Sequence, residues 1–170
     1  MDEKITTGEL LEQALEWFKF NYDDYFAERD IVCVFQRKLK ETITQNNLSF
    51  RVYHNFQIGQ IGQADLVMLN EKNEIELAIE FKYEPDRQRE RIDFWPTKLP
   101  VVASFKEVEK EVKRVKVYVN QKKAKSAVII FVDEGGRYRH MKPPTNTEWI
   151  DYDCVGKRCR KIAVLLGHFT

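Results

Sequence analysis

Apolar residues return at two different periods along this chain, and each change of period marks a new element. Thr6-Thr7-Gly8-Glu9 has the spacing of a capping box, and Leu11, Leu15 and Phe18 follow at helical intervals, which predicts an amphipathic helix over residues 7 to 19. A second helix is expected from Glu28 to Asn46, where Ile31, Phe35, Leu39 and Ile43 form one stripe. From Phe50 to Ile58 the period falls to two. Phe50, Val52, His54, Phe56 and Ile58 then share one side of a strand, and Arg51, Tyr53, Asn55 and Gln57 share the other. Gly59 and Gly62 mark a turn, after which the apolar runs Ala64 to Leu69 and Ile75 to Lys82 flank a polar stretch and read as a β-hairpin. Pro85, Pro96 and Pro100 interrupt residues 84 to 104, a long connection of the kind that often carries function. Val108, Val112, Val115 and Val119 predict a helix from Phe105 to Gln121, and Ala127 to Val132 is short, apolar and β-branched, as in a strand covered on both faces. Strand, helix and strand in this order imply a parallel pair with a right-handed crossover. Beyond Gly135-Gly136, Trp149, Tyr152 and the run Ile162 to Phe169 add edge strands or a terminal helix, and the last run is assigned to a strand.

The hairpin is where the pattern becomes chemical. With its turn centred between Lys72 and Asn73, Leu69 faces Glu76, Val67 faces Ala78 and Asp65 faces Glu80. Residues opposed in this way project to the same side with Cβ atoms about 4.5 to 5.5 Å apart. Period two puts Lys82 on that face too, while Leu66, Met68, Leu77, Ile79 and Phe81 take the opposite, core-forming face. Two carboxylates this close repel unless a positive group lies between them. Mg²⁺ meets that need, because it accepts hard oxygen ligands and can also hold a phosphate oxygen. Lys82 is then placed to orient or deprotonate an attacking water and to stabilise charge on the phosphate. Glu28, at the start of the second helix, is a candidate further ligand.

Composition allows one domain over residues 1–170, with a core at about 28–133 and additions at 137–170, since 43% of the residues are hydrophobic and no linker-like tract intervenes. The net charge of +1 at first sight argues against a polyanionic partner, but its distribution remains compatible with one. Residues 1 to 30 hold nine acidic and three basic groups, so the remainder carries the positive excess. No stretch approaches the ~18 apolar residues of a membrane span, which makes a cytoplasmic protein with no membrane partner the default. Cys33, Cys154 and Cys159 are odd in number and lack ligand spacing, so reduced thiols are expected.

Ala64-Asp65-Leu66-Val67 followed by Ile79-Glu80-Phe81-Lys82-Tyr83, on adjacent strands after a helix, resembles the PD-(D/E)XK nuclease superfamily. The resemblance implies an α/β fold of restriction-endonuclease-like type, with a helix, three strands, a helix and a strand in a mixed sheet flanked by helices. It also implies a metal-dependent endonuclease that hydrolyses phosphodiester bonds in DNA. By the same resemblance Asp65 and Glu80 bind Mg²⁺, with Mn²⁺ as a substitute, Phe81 lends its backbone carbonyl, and Lys82 assists the nucleophilic water. Glu28 is the preferred helix-borne acid ahead of Asp30 and Glu41, and a homodimer follows by analogy, since two sites are needed to cut both strands together. Ala64 stands where the motif's name has proline, at a position that contributes no ligand. The tripeptide Glu111-Val-Lys113 is discounted because it falls in a predicted helix, where i and i+2 diverge.

Ordinary alternatives accompany each assignment. Glu80 and Lys82 would also suit an exposed charge ladder with Glu76, Asp65 a solubilising strand start, and Glu28 the positive end of a helix dipole. Arg87, Arg89, Arg91 and Trp95 are candidate phosphate and base contacts, or else a solvated loop with Trp95 packed inward. Lys113 and Arg114 are candidates for a DNA-facing helix surface, against a plain solvated face. His54, His140 and His168 lack ligand spacing and read as structural. The competing function is a non-catalytic nucleic-acid-binding or assembly subunit of the same fold.

Overall fold

A computed structural model describes residues 5–91 and 97–170. Helices α1 (Thr7–Phe20) and α2 (Glu28–Gln45) lead into strands β1 (Arg51–Ile58), β2 (Gly62–Leu69) and β3 (Ile75–Glu84). Helix α3 (Phe105–Asn120) follows, then β4 (Ala124–Asp133), β5 (Thr147–Val155) and β6 (Arg160–Phe169). The predicted capping box forms: Thr6 Oγ1 accepts from the Glu9 N–H, and the Glu9 carboxylate accepts from the Thr6 N–H at 2.6 Å. At α2 the Asp30 carboxylate accepts from the N–H groups of Phe26 and Ala27. Asp30 is thereby committed to starting the helix, and the neighbouring Glu28 is not.

The six strands form one mixed sheet in the order β1-β2-β3-β4-β6-β5. β1, β2 and β3 form an antiparallel meander, and β3 pairs in parallel with β4 through the α3 crossover, as expected. This is a mixed α/β sheet flanked by helices. One apolar cluster joins α1 and α2 to the sheet through Leu10, Ile31, Phe35, Leu66, Ile79 and Phe81. The other face meets α3 through Val112, Val115, Tyr118, Ala78 and Ile129. β6 is not an edge strand. It lies between β4 and β5 because Ile162 to Leu165 is buried throughout, whereas Glu148, Asp151 and Asp153 on β5 suit an edge by discouraging further pairing.

Other expectations also need correction. Leu69 faces Ile75 rather than Glu76, because the ladder shifts between Met68 and Leu69 while Val67 still faces Ala78. β1 does not keep a single apolar side: Val52 joins the α1/α2 cluster but Ile58 joins the α3 cluster. The reversal falls at Asn55, which has φ 49°, a left-handed value that breaks the two-residue period. Cys154 and Cys159 are joined in a disulfide across the β5–β6 turn, five residues apart, in place of two reduced thiols. Gly156 in that turn has φ 61°, and a Cβ there would stand 2.1 Å from the Tyr22 carbonyl oxygen. Among the described residues, no helix is long and apolar enough to cross a membrane.

Candidate active site

The site lies where the sheet forks. β1 and β2 stay paired to Ile58 opposite Gly62, but pairing of β2 with β3 ends at Leu66 opposite Ile79. β3 runs on beside β4 to Glu84, so Glu80, Phe81 and Lys82 belong to an edge that β2 has left. An N–H freed in this way needs an acceptor. Asp65, the first residue past the last pair, supplies it: its Oδ2 accepts from the Phe81 N–H at 2.7 Å. The Phe81 carbonyl points to the same edge, because a residue of an extended strand presents its N–H and C=O together.

Glu80 points to the α3 face and has no exposed surface. The Tyr118 hydroxyl donates to its Oε1 at 2.5 Å and Arg114 Nη2 to its Oε2 at 2.7 Å. Burial pushes its pKa up to about 8 and the Asp65 charge adds to the rise, while Tyr118 and Arg114 oppose it. Lys82 Nζ bridges two helices, at 3.1 Å from Glu28 Oε2 on α2 and 3.9 Å from Glu111 Oε1 on α3. Burial lowers the Lys82 pKa, but Glu28, Glu111 and Asp65 together outweigh it and leave the ammonium above its ordinary value. Glu28 is raised by burial and by the Asp65 and Glu111 charges, against the pull of Lys82. Arg114 also contacts Glu111.

Asp65, Glu80, Lys82 and Glu28 therefore lie around the fork, but the expected pairing of Asp65 opposite Glu80 does not form, because the β2–β3 ladder ends at Leu66 and Ile79 and Asp65 meets the Phe81 N–H at the strand edge instead. Two residues were missed. Glu111, dismissed as part of a helical tripeptide, is buried beside Lys82, and Tyr118 binds Glu80. The signal was present: Glu111, Arg114 and Tyr118 recur at helical spacing beside the valine stripe, a polar row on a face that must be covered.

The other candidates disperse. Arg114, expected on DNA, is spent on Glu80 and Glu111. Arg89 is buried, with Nη1 2.7 Å from Glu134 Oε2, and Arg87 pairs with Glu84 at 2.7 Å; neither guanidinium belongs to the fork. Lys113 is exposed on α3. Arg91 closes a short 3-10 turn over residues 87–91; its side chain and all of Trp95 lie outside the described residues. Glu41, the other alternative to Glu28, forms an exposed pair with Arg37.

Beside the fork a cleft of about 240 Å³ opens between α2 and β1, lined by Glu28, Arg29, Val32, Cys33, His54, Asn55 and Asp65. It connects two of the carboxylates to solvent. No protein-family model, curated protein or solved structure matches the chain.

Fit to a metal can be judged on charge and donor type. Four carboxylates (Asp65, Glu80, Glu28 and Glu111) face two cations (Lys82 and Arg114), and repulsion among the carboxylates adds to the rise that burial imposes on the Glu80 and Glu28 pKa values. When every group is ionised the excess equals the charge of one divalent ion. Among the described residues no three acidic, His or Cys side chains are grouped as ready ligands. Mg²⁺ does not require three, since it is usually held by one or two carboxylates and keeps several waters. Asp65, Glu80 and the Phe81 carbonyl fit that requirement.

Proposed function

We propose that this chain is a metal-dependent nuclease of the PD-(D/E)XK type that hydrolyses phosphodiester bonds in DNA. The observation that carries the reading is the hydrogen bond from the Phe81 N–H to Asp65, which brings Asp65, Glu80, Phe81 and Lys82 together across a fork in the sheet. The helix, three-strand, helix, strand order from α2 to β4 supports it. Asp65, Glu80 and the Phe81 carbonyl would hold Mg²⁺ or Mn²⁺, which supplies Lewis acidity towards a phosphate oxygen and a more acidic water. Lys82 stays protonated between Glu28 and Glu111, so its role is to donate hydrogen bonds and stabilise charge developing on the phosphate rather than to act as a base. Glu28 touches both Lys82 and the cleft, and its raised pKa suits it to accept the proton lost by the attacking water. Cutting both strands of a duplex together calls for two such sites, so a homodimer belongs to the same reading.

One observation favours a second reading, a non-catalytic nucleic-acid-binding or assembly subunit. Both Glu80 oxygens already accept a hydrogen bond, from Tyr118 and Arg114, so a metal has to share them with those partners or displace one. The two readings separate in a paired experiment. Purified protein is incubated with single-stranded, duplex and branched DNA in Mg²⁺, Mn²⁺ or EDTA, and divalent-ion binding is measured by calorimetry. The nuclease reading expects metal-dependent cutting that is lost in Lys82→Ala, and metal binding lost in Asp65→Ala and Glu80→Ala. DNA binding with neither cutting nor metal binding supports the subunit.

A further inference from the structure

We infer that Arg29 and His54 form a subsite for the phosphodiester backbone of the substrate strand, next to the phosphate being cut; the inference rests on the nuclease reading. Nine arginines with described side chains are already engaged. Arg37, Arg87, Arg89, Arg114, Arg137, Arg139, Arg158 and Arg160 pair with carboxylates, and Arg51 donates to Asn73 and to the Asn70 carbonyl. Arg29 is exposed and, among the described residues, has no carboxylate or amide partner, although it lines the cleft that Glu28 and Asp65 also line. An unpaired guanidinium beside those acids is a spare cation where an anionic strand must approach.

His54 lines the same cleft. Its alternation with Phe50 and Val52 predicted an inward side chain, yet it is exposed, because β1 is an edge strand and its face changes one residue later at Asn55. It sits opposite Leu66, one position from Asp65. The cleft is smaller than the ~300 Å³ at which sites for drug-sized ligands begin, so it suits a phosphate and sugar rather than a free cofactor or a base pair. Within it, Glu28 and Asp65 repel a phosphate while Arg29 and His54 offer N–H donors, and a guanidinium can grip two phosphate oxygens at once. The strand therefore runs along the Arg29–His54 rim, and its next phosphate falls towards the fork.

The test uses a short fluorescent single-stranded oligodeoxynucleotide, with binding read by anisotropy across a salt series and cleavage kinetics measured in parallel. Arg29→Ala should weaken binding about tenfold, as for one charge-assisted contact, and lower the slope of log affinity against log salt by about 0.7. KM should rise with kcat held. Arg29→Lys should restore the slope but not the full affinity, and His54→Ala should raise KM alone. Arg37→Ala, which removes an arginine about two turns further along α2 that pairs with Glu41 and does not line the cleft, should leave affinity unchanged. If the wild type binds and cuts, and Arg29→Ala and His54→Ala match it in affinity and slope or Arg37→Ala weakens binding equally, the subsite is wrong and the nuclease reading stands. A wild type that neither binds nor cuts overturns both.

Discussion

Burial of the Glu80 carboxylate makes the stability of the fold depend on pH. Its pKa of about 8 in the fold, against 4.5 ordinarily, means that the folded protein holds a proton the unfolded chain has already released. Stability from this group is full below the ordinary value and is lost as pH rises through about 8. Thermal unfolding of the metal-free protein should show the midpoint falling across that window, and Glu80→Gln should flatten the fall. A wild type whose midpoint rises steadily there would contradict the assignment. On the nuclease reading metal binding would have the opposite dependence, since only the ionised carboxylate is a ligand. Mg²⁺ affinity measured by calorimetry should therefore climb with pH until about 8 and then level off. Tyr118→Phe removes a hydrogen bond that lowers the Glu80 pKa, so the rise in metal affinity should move to higher pH in that variant.

Among the elements, the β1–β2 pair does most to set the site geometry. Asn55 has left-handed backbone, and Asp65 is the residue that would lie opposite it in the ladder running from His54–Leu66 to Phe56–Ala64. β2 reverses its faces there too, with Ala64 in the α3 cluster and Leu66 in the α1/α2 cluster. The irregular step directs the Asp65 carboxylate at the edge of β3 instead of leaving it on a sheet face. Asn55→Gly should be tolerated, because glycine adopts this conformation freely. Asn55→Val should cost about 1 to 2 kcal/mol and lower cleavage by displacing Asp65. Chemical denaturation and an activity assay on both variants check this, and equal stability of the two would remove Asn55 as the cause. Only the strict alternation was legible in the sequence; the break was not, because asparagine also suits ordinary exposed positions.

Across the whole molecule, Arg89 and Glu134 hold distant segments together. Arg89 Nη1 donates to Glu134 and to the Tyr25 carbonyl, and Tyr83 Oη stands 2.9 Å from that carbonyl and from Glu134 Oε2. This joins the α1–α2 connection, β3, the end of β4 and the start of the long connection after Glu84. Breaking such a buried pair from one side leaves a bare charge, so Arg89→Met should cost about 3 to 5 kcal/mol in urea unfolding. Adding Glu134→Met should recover part of the loss. A surface arginine serving only DNA would show no such loss, which makes this a direct test of its burial.

The residues themselves determined which segments became helices and strands. Periodicity is a local property, and α1, α2, the β2–β3 hairpin, α3 and β4 all fall where the apolar pattern put them. Asp65, Glu80 and Lys82 were legible for the same reason, since a tight hairpin makes sequence distance a fair guide to spatial distance. The partners of those residues were decided only by tertiary structure. Glu111, Arg114 and Tyr118 reach Glu80 and Lys82 because α3 packs across β3 and β4, and Glu28 reaches Lys82 because α2 begins beside the fork. The placing of β6 beside β4, the bond between Cys154 and Cys159, and the burial of Arg89 are of the same kind. Each depends on which surface covers which, and residue spacing within a segment carries no record of that.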